Sequence, residues 1–188
     1  MPFPLTVPRA HIPLAAAVDA LENDLQVCKE SSEVWSYDRV PSFLQGFIEE
    51  FWKSRWTKAP EGQPAVADAA EAFCGYVIDL AMRLPTKEEL LDAPLIDHWC
   101  ALRSNLAAGI HPCLIGYVTG HPRLRNGART ITSTLIRVEP ADGWARTWNR
   151  LYRLGAGGDA IFHDMMRERK LPRAVEIDRD IDRPVSRH

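Results

Sequence analysis

The segment from Gly120 to Gly155 constrains the fold most, because turn residues divide it into short runs suited to β-strands. The dipeptide Asn126-Gly127 adopts positive φ at low cost and commonly reverses the chain between two strands. The run 128–138 is rich in threonine and isoleucine, whose branched Cβ suits a pleated surface, and Pro140 and Gly143 end it. The pattern predicts a three-stranded antiparallel meander with strands at about 112–119, 129–138 and 144–154.

The last of these strands fits two periodicities. Helical spacing places Trp144, Trp148 and Leu151 on one stripe, whereas spacing of two predicts a strand with a single Arg/Trp face. On that strand the shared face carries Trp144, Arg146, Trp148, Arg150, Tyr152 and Leu154. We favour the strand, because turn residues lie on both sides of 144–154 and a partner strand precedes it.

The residues before this segment have helical patterns. A proline-rich arm comes first and is expected to pack through its apolar side chains. Helices are predicted at about 14–29, from Pro41 onward, and at about 65–84. Thr86-Lys87-Glu88-Glu89 is a capping box and predicts a fourth helix, which breaks at Pro94 and resumes to about 108. After Gly155, Asp159 is predicted to cap a short helix. A tail of alternating Asp and Arg follows it, and we expect this tail to be either solvated or ordered only against a partner.

These patterns predict an α+β protein. Its N-terminal part, of about four helices, packs on a small three-stranded antiparallel sheet, and a short C-terminal helix and a charged tail complete it. The predicted division is a helical region at 1–89, a small α+β domain with the meander at 90–155, and the short helix and tail at 156–188. A chain of 188 residues is long enough for one domain with a small appendage.

Charge is distributed unevenly along the chain. Residues 1–110 carry nine Lys/Arg and sixteen Asp/Glu, whereas residues 111–155 carry seven Arg and two acids. Such a bias favours an anionic partner for the basic part. The alternative is that acidic helices compensate the basic sheet within one molecule, and the nearly neutral total charge of -2 favours that alternative.

Composition limits the remaining classes. No apolar run approaches the roughly 20 residues of a membrane span, and the N-terminus lacks a signal-peptide pattern, so a cytoplasmic protein without a membrane partner is expected. The four scattered cysteines are expected to be reduced thiols. No cofactor is predicted, since the glycine-rich stretch 155–158 lacks the lysine of a P-loop and the context of a dinucleotide fold.

Catalytic and metal patterns are weak. A zinc site would draw on His98, Cys100, His111, Cys113 and His121. Their spacing lacks the usual pair of cysteines two residues apart, so no metal site is predicted. A nucleophile, Cys113 or Ser133, would need His121 as base and Asp97 or Asp142 as orienter, but no nucleophile elbow surrounds either. No catalytic residue is predicted, and the sequence favours a non-enzymatic protein.

Arginine and aromatic residues of the predicted sheet are the remaining candidate site. Such residues anchor protein interfaces, and they also bind phosphates and stack bases. The predicted binding residues are Arg129, Arg137, Trp144, Arg146, Trp148, Arg150, Tyr152 and Arg153. The first hypothesis is therefore a binding or regulatory protein that acts on another protein, and the second is a nucleic-acid-binding accessory factor using the same face. The third is a small metal-dependent or hydrolytic enzyme.

The stretch 90–155 resembles a family of short uncharacterised bacterial proteins classed as a domain of unknown function. The resemblance implies a domain boundary and a bacterial cytoplasmic setting, and it implies no activity. It rests on separate pieces in the same order: Asp92-Ala93-Pro94-Leu95 with Trp99, Gly120-His121-Pro122, Ile131-Thr132-Ser133, and Gly143-Trp144-Ala145-Arg146-Thr147 with Arg150, Tyr152, Leu154 and Gly155.

Overall fold

The computed structural model describes residues 7–55, 63–103 and 111–181. Within them are five α-helices: α1 Ala15–Ser31, α2 Ser42–Arg55, α3 Gln63–Met82, α4 Lys87–Asp92 and α5 Ala160–Arg167. The strands are β1 Leu95–Leu102, β2 Cys113–Thr119, β3 Ala128–Ile131, β4 Leu135–Glu139, β5 Trp144–Thr147 and β6 Leu151–Leu154. Short 3-10 turns occupy Arg9–His11 and Tyr37–Arg39. The predicted α+β class is confirmed.

The chain forms two compact units. The first contains Leu14–Met82, and the second contains Val7–Pro13 together with the chain from Arg83 onward. The division predicted at residues 89/90 and 155/156 stays a prediction. Across the described ranges, none of the helices is both long enough and apolar enough to cross a membrane.

The first unit consists of α1, α2 and α3, close to their predicted bounds. The apolar stripe of α1 is buried, as is the inward face of α3 around Phe73. Phe51 of α2 meets Phe73 edge-on at a centroid distance of 5.9 Å. The indole of Trp35 donates a 2.8 Å hydrogen bond to Asp24 on α1. Amphipathic periodicity therefore suffices to place these helices.

The predicted continuation of the fourth helix beyond Pro94 is wrong. The capping box forms, with the amide of Glu89 bonded to Thr86 at 3.1 Å, but α4 ends at Asp92 and the chain continues as β1. Neighbouring strands pair with β1 on both sides, antiparallel with β2 and parallel with β6. These ladders satisfy its backbone and override the weak helical pattern. Residues 104–108 of that prediction lie outside the described residues.

The predicted three-stranded antiparallel sheet is wrong in size and in being wholly antiparallel. The sheet has six strands in the order β3-β2-β1-β6-β5-β4 and is mixed, because β1 and β6 run parallel. The long strand predicted at 129–138 is interrupted at 132–134, so that its first part pairs with β2 and its second with β5.

Residues 132–134 connect β3 with β4, which are the two outermost strands of the sheet. Six flat strands would be about 24 Å wide, whereas the step from β3 to β4 spans about 10–14 Å. The sheet must therefore curl until its edges approach each other. The amide of Leu135 accordingly donates to the carbonyl of Pro112, which precedes β2, at 2.7 Å.

The strand predicted at 144–154 is two strands joined by a turn at 148–150. In their ladder Ala145 pairs with Tyr152 and Trp144 pairs with Arg153. Because paired residues share a face, Tyr152 lies on the face opposite to Trp144 and Arg146. The predicted single Arg/Trp face is therefore divided between the two faces of the sheet.

The inner face of the curled sheet is apolar. Its buried cluster includes Ile96, Trp99, Leu114, Val118, Leu135, Val138, Ala145 and Tyr152. On the outer face a second cluster joins β1 and β2 to α5 and to the chain after it. Beyond α5, buried Leu171, Val175 and Ile177 belong to that cluster, and the amide of Asp178 donates to the carbonyl of Ala101 at 2.9 Å. The predicted solvated tail is wrong as far as residue 181, because these few apolar residues pack in the outer cluster of β1, β2 and α5.

Candidate binding surface

The eight predicted binding residues form a buried group and a more exposed group. Trp144, Arg146 and Tyr152 are 3%, 7% and 6% exposed, and Arg137 is 6% exposed. Trp148 and Arg150 are half-buried, whereas Arg129 and Arg153 are exposed. Together they do not present one open surface.

The buried group is organised around a carboxylate. Arg137 lies directly opposite Arg146 across β4 and β5. Glu139 accepts a 2.8 Å hydrogen bond from Nε of Arg137, whose guanidinium lies 5.2 Å from the centroid of the Trp144 ring. The other carboxylate oxygen lies 3.0 Å from Nδ1 of His11, which must carry the proton because a carboxylate only accepts. Arg137 thus has an ion pair within the sheet itself.

A short segment contacts this group at Glu139. Residues Val7–Pro13, here called the strap, belong to the same unit as the sheet, and their 3-10 turn contacts β4. Besides the His11–Glu139 pair, the strap contributes Ile12, which is 1% exposed. Of the apolar residues expected to pack in the N-terminal arm, Val7 is half-buried, whereas Phe3 and Leu5 lie outside the described residues.

Two of the more exposed arginines are engaged with the protein itself. Arg129 donates to Glu168 at 2.8 Å. That bond and one from Lys170 lower the pKa of Glu168 from its ordinary value to about 2. Nε of Arg153 donates to the carbonyl of Ala93 at 3.0 Å.

The loop between β2 and β3 lies at one end of the sheet and is held by its glycines. Gly120 and Gly127 have φ of 75° and 74°, a region that disfavours side chains with a Cβ. The amide of Gly120 donates to Asn126 at 2.9 Å, and that of Gly127 donates to the carbonyl of Val118 at 2.8 Å. The two predicted turns therefore belong to one ordered loop.

His121 connects this loop with the turn between β5 and β6. Its Nδ1 accepts a 3.1 Å hydrogen bond from the amide of Arg123, so the ring proton is on Nε2. Burial lowers the pKa of His121, and the neighbouring guanidinium groups of Arg150 and Arg123 lower it further. The registers of β1 with β2 and with β6 place this loop and the turn that carries Arg150 at the same end of the sheet.

We call Arg123, Leu124, Arg125 and Arg150, together with His121, the basic edge. Arg123 and Arg125 are exposed, and Leu124 is 39% exposed between them. Within the described ranges, no carboxylate lies within the 4.0 Å of an ion pair from Arg123, Arg125 or Arg150. In the sequence, Asn126-Gly127 marks this stretch as a turn, and the two arginines in one hairpin loop of a basic segment are the signal that points to the edge.

The candidate metal ligands are dispersed. His98 lies at a bulge of β1 with φ of 48°, while Cys100 and Cys113 are buried in the outer cluster. His111 is half-buried just before β2, and His121 lies beyond its far end. Among residues 7–55, 63–103 and 111–181, no group of three or more His, Cys, Asp or Glu side chains could hold a metal ion.

The candidate catalytic pairs are dispersed as well. Burial raises the pKa of Cys113 to about 12, and β2 separates this thiol from His121 by about 20 Å. Asp97 serves the backbone instead, since its Oδ1 accepts from the amides of His98 at 3.0 Å and Ala156 at 2.8 Å.

A family model matches residues 65–174, a stretch that contains all six strands and α5. The chain belongs to the family of unknown function DUF6634. The prediction of an uncharacterised domain is thus confirmed, and the DUF6634 match includes the stretch 90–155, whose separate motifs stay a prediction. The strap lies outside the matched residues. Nothing among the curated proteins or the solved structures matches the chain.

Proposed function

We propose that the protein is a non-enzymatic binding protein that takes an acidic segment of another protein on its basic edge. The observation that carries the proposal is the set of Arg123, Arg125 and Arg150, which have no ion-pair partner among the described residues. Their loop is held by hydrogen bonds at both ends, so little order is lost on binding. Carboxylates are the natural complement of such guanidinium groups.

The chemistry of the edge favours protein over nucleic acid. Leu124 offers an apolar contact between two arginines, as the anchors of protein interfaces do. Binding of single-stranded nucleic acid relies on exposed aromatic rings that stack bases. Here Trp144 and Tyr152 are buried and Trp148 is half-buried, which leaves little of the predicted aromatic set for base stacking and favours a protein partner.

The expected affinity is modest. Exposed ion pairs contribute about 0.2–1 kcal/mol each, and burial of one leucine adds about 2 kcal/mol. Three pairs and Leu124 together supply at most about 5 kcal/mol, which corresponds to a dissociation constant of about 0.2 mM or weaker. The exposed ion pairs are screened by salt, so binding should weaken as ionic strength rises.

Fluorescence anisotropy with two labelled probes tests the proposal. One probe is a peptide of glutamates flanking a central leucine, and the other is single-stranded DNA of equal charge. The test variant combines Arg123→Gln, Arg125→Gln and Arg150→Gln. The control variant removes three other exposed cations by Lys53→Gln, Lys87→Gln and Arg173→Gln.

The expected result is peptide binding that the control variant keeps and the test variant loses. Equal loss in both variants would mean that only net charge matters, and the basic edge would not be a site. If the DNA binds more tightly than the peptide and the test variant loses that binding, the result would favour the nucleic-acid hypothesis for the basic edge. No binding of either probe at low salt would refute the proposal.

A further inference from the structure

We propose that the acidic segment of the partner binds in an extended conformation and adds to the sheet as a further strand, antiparallel to β3. This inference rests on the proposed function and names the conformation and the chain direction that the partner segment must have. The basic edge would select the charge of the segment, and the open side of β3 would supply main-chain hydrogen bonds.

The strand β3 has one side without a pairing strand, because it pairs with β2 and ends the strand order. The amide of Thr132 donates to the carbonyl of Leu114 at 2.9 Å, which fixes the phase of this ladder. Backbone groups of an antiparallel strand point alternately towards and away from the neighbouring strand. Thr130 therefore faces β2, whereas the N–H and C=O groups of Arg129 and Ile131 point away from it. None of the described residues accepts a hydrogen bond from either of these two amides.

The two outermost strands of the sheet differ in exposure. All five residues of β4 are buried, so that this strand offers no exposed surface to a partner. On β3, by contrast, Arg129 is exposed and Ile131 is 47% exposed. Proteins cover the edges of their sheets or place charges on them, because unpaired backbone groups accept another strand. The β3 edge is of the second kind, and Arg129 is its charge.

The charges along this edge select an acidic strand. The run 120–131 contains three arginines and no Asp or Glu. Arg129 already pairs with Glu168 at 2.8 Å. Arg123 and Arg125 have no carboxylate within ion-pair distance in the described part of the chain. A second copy of this chain would bring the same arginines to the edge, and like charges across a strand pair destabilise it. A segment with carboxylates beside the loop is the better complement.

The position of the loop fixes the direction of the bound segment. The loop 120–127 precedes β3, so an antiparallel strand reaches the loop with its C-terminal end. Antiparallel pairs are somewhat more stable per residue than parallel ones. The segment should therefore carry its carboxylates after its extended apolar part. Ile131 lies on the outer face beside Ile115, where it offers a cross-strand contact to a β-branched side chain.

Three labelled peptides test the inference on the wild-type protein by fluorescence anisotropy. The first has alternating valine and threonine followed by three glutamates, and the second has the same residues in reverse order. The third is the glutamate–leucine peptide that tests the proposed function. The first peptide should bind about tenfold more tightly than the other two, because the outward N–H groups of β3 and the side chain of Ile131 gain partners.

Two N-methylated forms of the first peptide test the main chain without altering the protein. One form carries the methyl groups on its valine amides, and the other carries them on its threonine amides. Because only alternate amides of a strand face its neighbour, one form should keep the tenfold gain and the other should lose it. Amide hydrogen exchange measured by NMR should slow at Arg129 and Ile131 on binding, whereas Thr130 should be unchanged because it already faces β2.

A matched pair of variants tests the same contact from the side of the protein. Ile131→Pro removes one outward N–H group and leaves the ladder with β2 intact, since that group is not used there. Ile131→Thr keeps both the N–H group and a branched Cβ. The proline variant should lose the tenfold gain and the threonine variant should keep most of it, while both bind the glutamate–leucine peptide as the wild type does.

The other outcomes distinguish this inference from the proposed function. If both methylated forms bind alike, or if Arg129 and Ile131 gain no protection, strand addition is refuted. The same holds if the first peptide binds no more tightly than the reversed or the glutamate–leucine peptide. In each of these cases the proposed function stands as long as the glutamate–leucine peptide binds. If none of the peptides binds at low salt, both proposals fail.

Discussion

Replacement of Gly155 by alanine should destabilise the protein by removing the acceptor of two backbone amides. A Cβ at this position would overlap Oδ1 of Asp97. That oxygen accepts from the amides of His98 and Ala156, which fixes the chain after β6 against the bulge of β1. Hydrogen bonds to charged groups contribute about 1.5–3 kcal/mol each. With the Asp97 side chain 40% exposed, the lower figure applies, and Gly155→Ala should cost about 3 kcal/mol.

The matched control is Gly158→Ala, because a Cβ there would meet nothing within 4 Å. Its expected effect is within about 0.5 kcal/mol of zero, as for an ordinary surface change. Urea denaturation of both variants gives the two free energies of unfolding. A double-mutant cycle with Asp97→Ala adds a second criterion, because the cost of Gly155→Ala should fall by more than half once the carboxylate is absent. Equal costs in the two glycine variants, or full additivity with Asp97→Ala, would refute the steric argument.

Three further predictions concern single groups. The pKa of Glu168 is lowered from its ordinary value of 4.5 to about 2, so the interaction stabilises above pH 4.5 and is lost as pH falls towards 2. Carboxyl NMR titration should therefore show Glu168 titrating nearer pH 4.5 in Arg129→Gln, and an unchanged pKa would contradict the bond. Thr86→Ala should cost about 1 kcal/mol of unfolding free energy through loss of the α4 cap. Burial raises the pKa of Cys74 and Cys113 to about 12, so neither should react with a thiol reagent at pH 8 until urea unfolds the chain, and fast reaction of the native protein would count against their burial.

The helices of the first unit could be predicted because their signals are local. Leu21, Leu25 and Cys28 recur at helical spacing, and Pro41 sits where a helix begins. The capping box at Thr86 likewise depends on residues three apart. Pairing of strands distant in the chain carries no such local signal. β1 pairs with β6 more than 50 residues later, so the local pattern of residues 95–102 predicts a helix where the structure has a strand.

For the candidate site, too, local signals predict one part and contacts between distant residues decide the rest. Spacing of two correctly associates Trp144 with Arg146, but nothing in the composition of residues 148–150 requires the reversal that moves Tyr152 to the inner face. Glu139, the ion-pair partner of Arg137, also contacts His11, more than 120 residues earlier in the chain. The role proposed for Arg123 and Arg125 depends on the strand registers that bring the turn with Arg150 to the same end of the sheet.

By itself the sequence determined the α+β class, the helices of the first unit, the turns that bound the strands and the concentration of positive charge after residue 110. These properties arise from interactions between residues close in the chain. The tertiary structure decided the six-strand order, the curl of the sheet and the separation of the arginines into covered and exposed ones. The physical reason is that strand pairing and burial satisfy backbone and side-chain groups with partners far away in sequence, where local propensity carries no information.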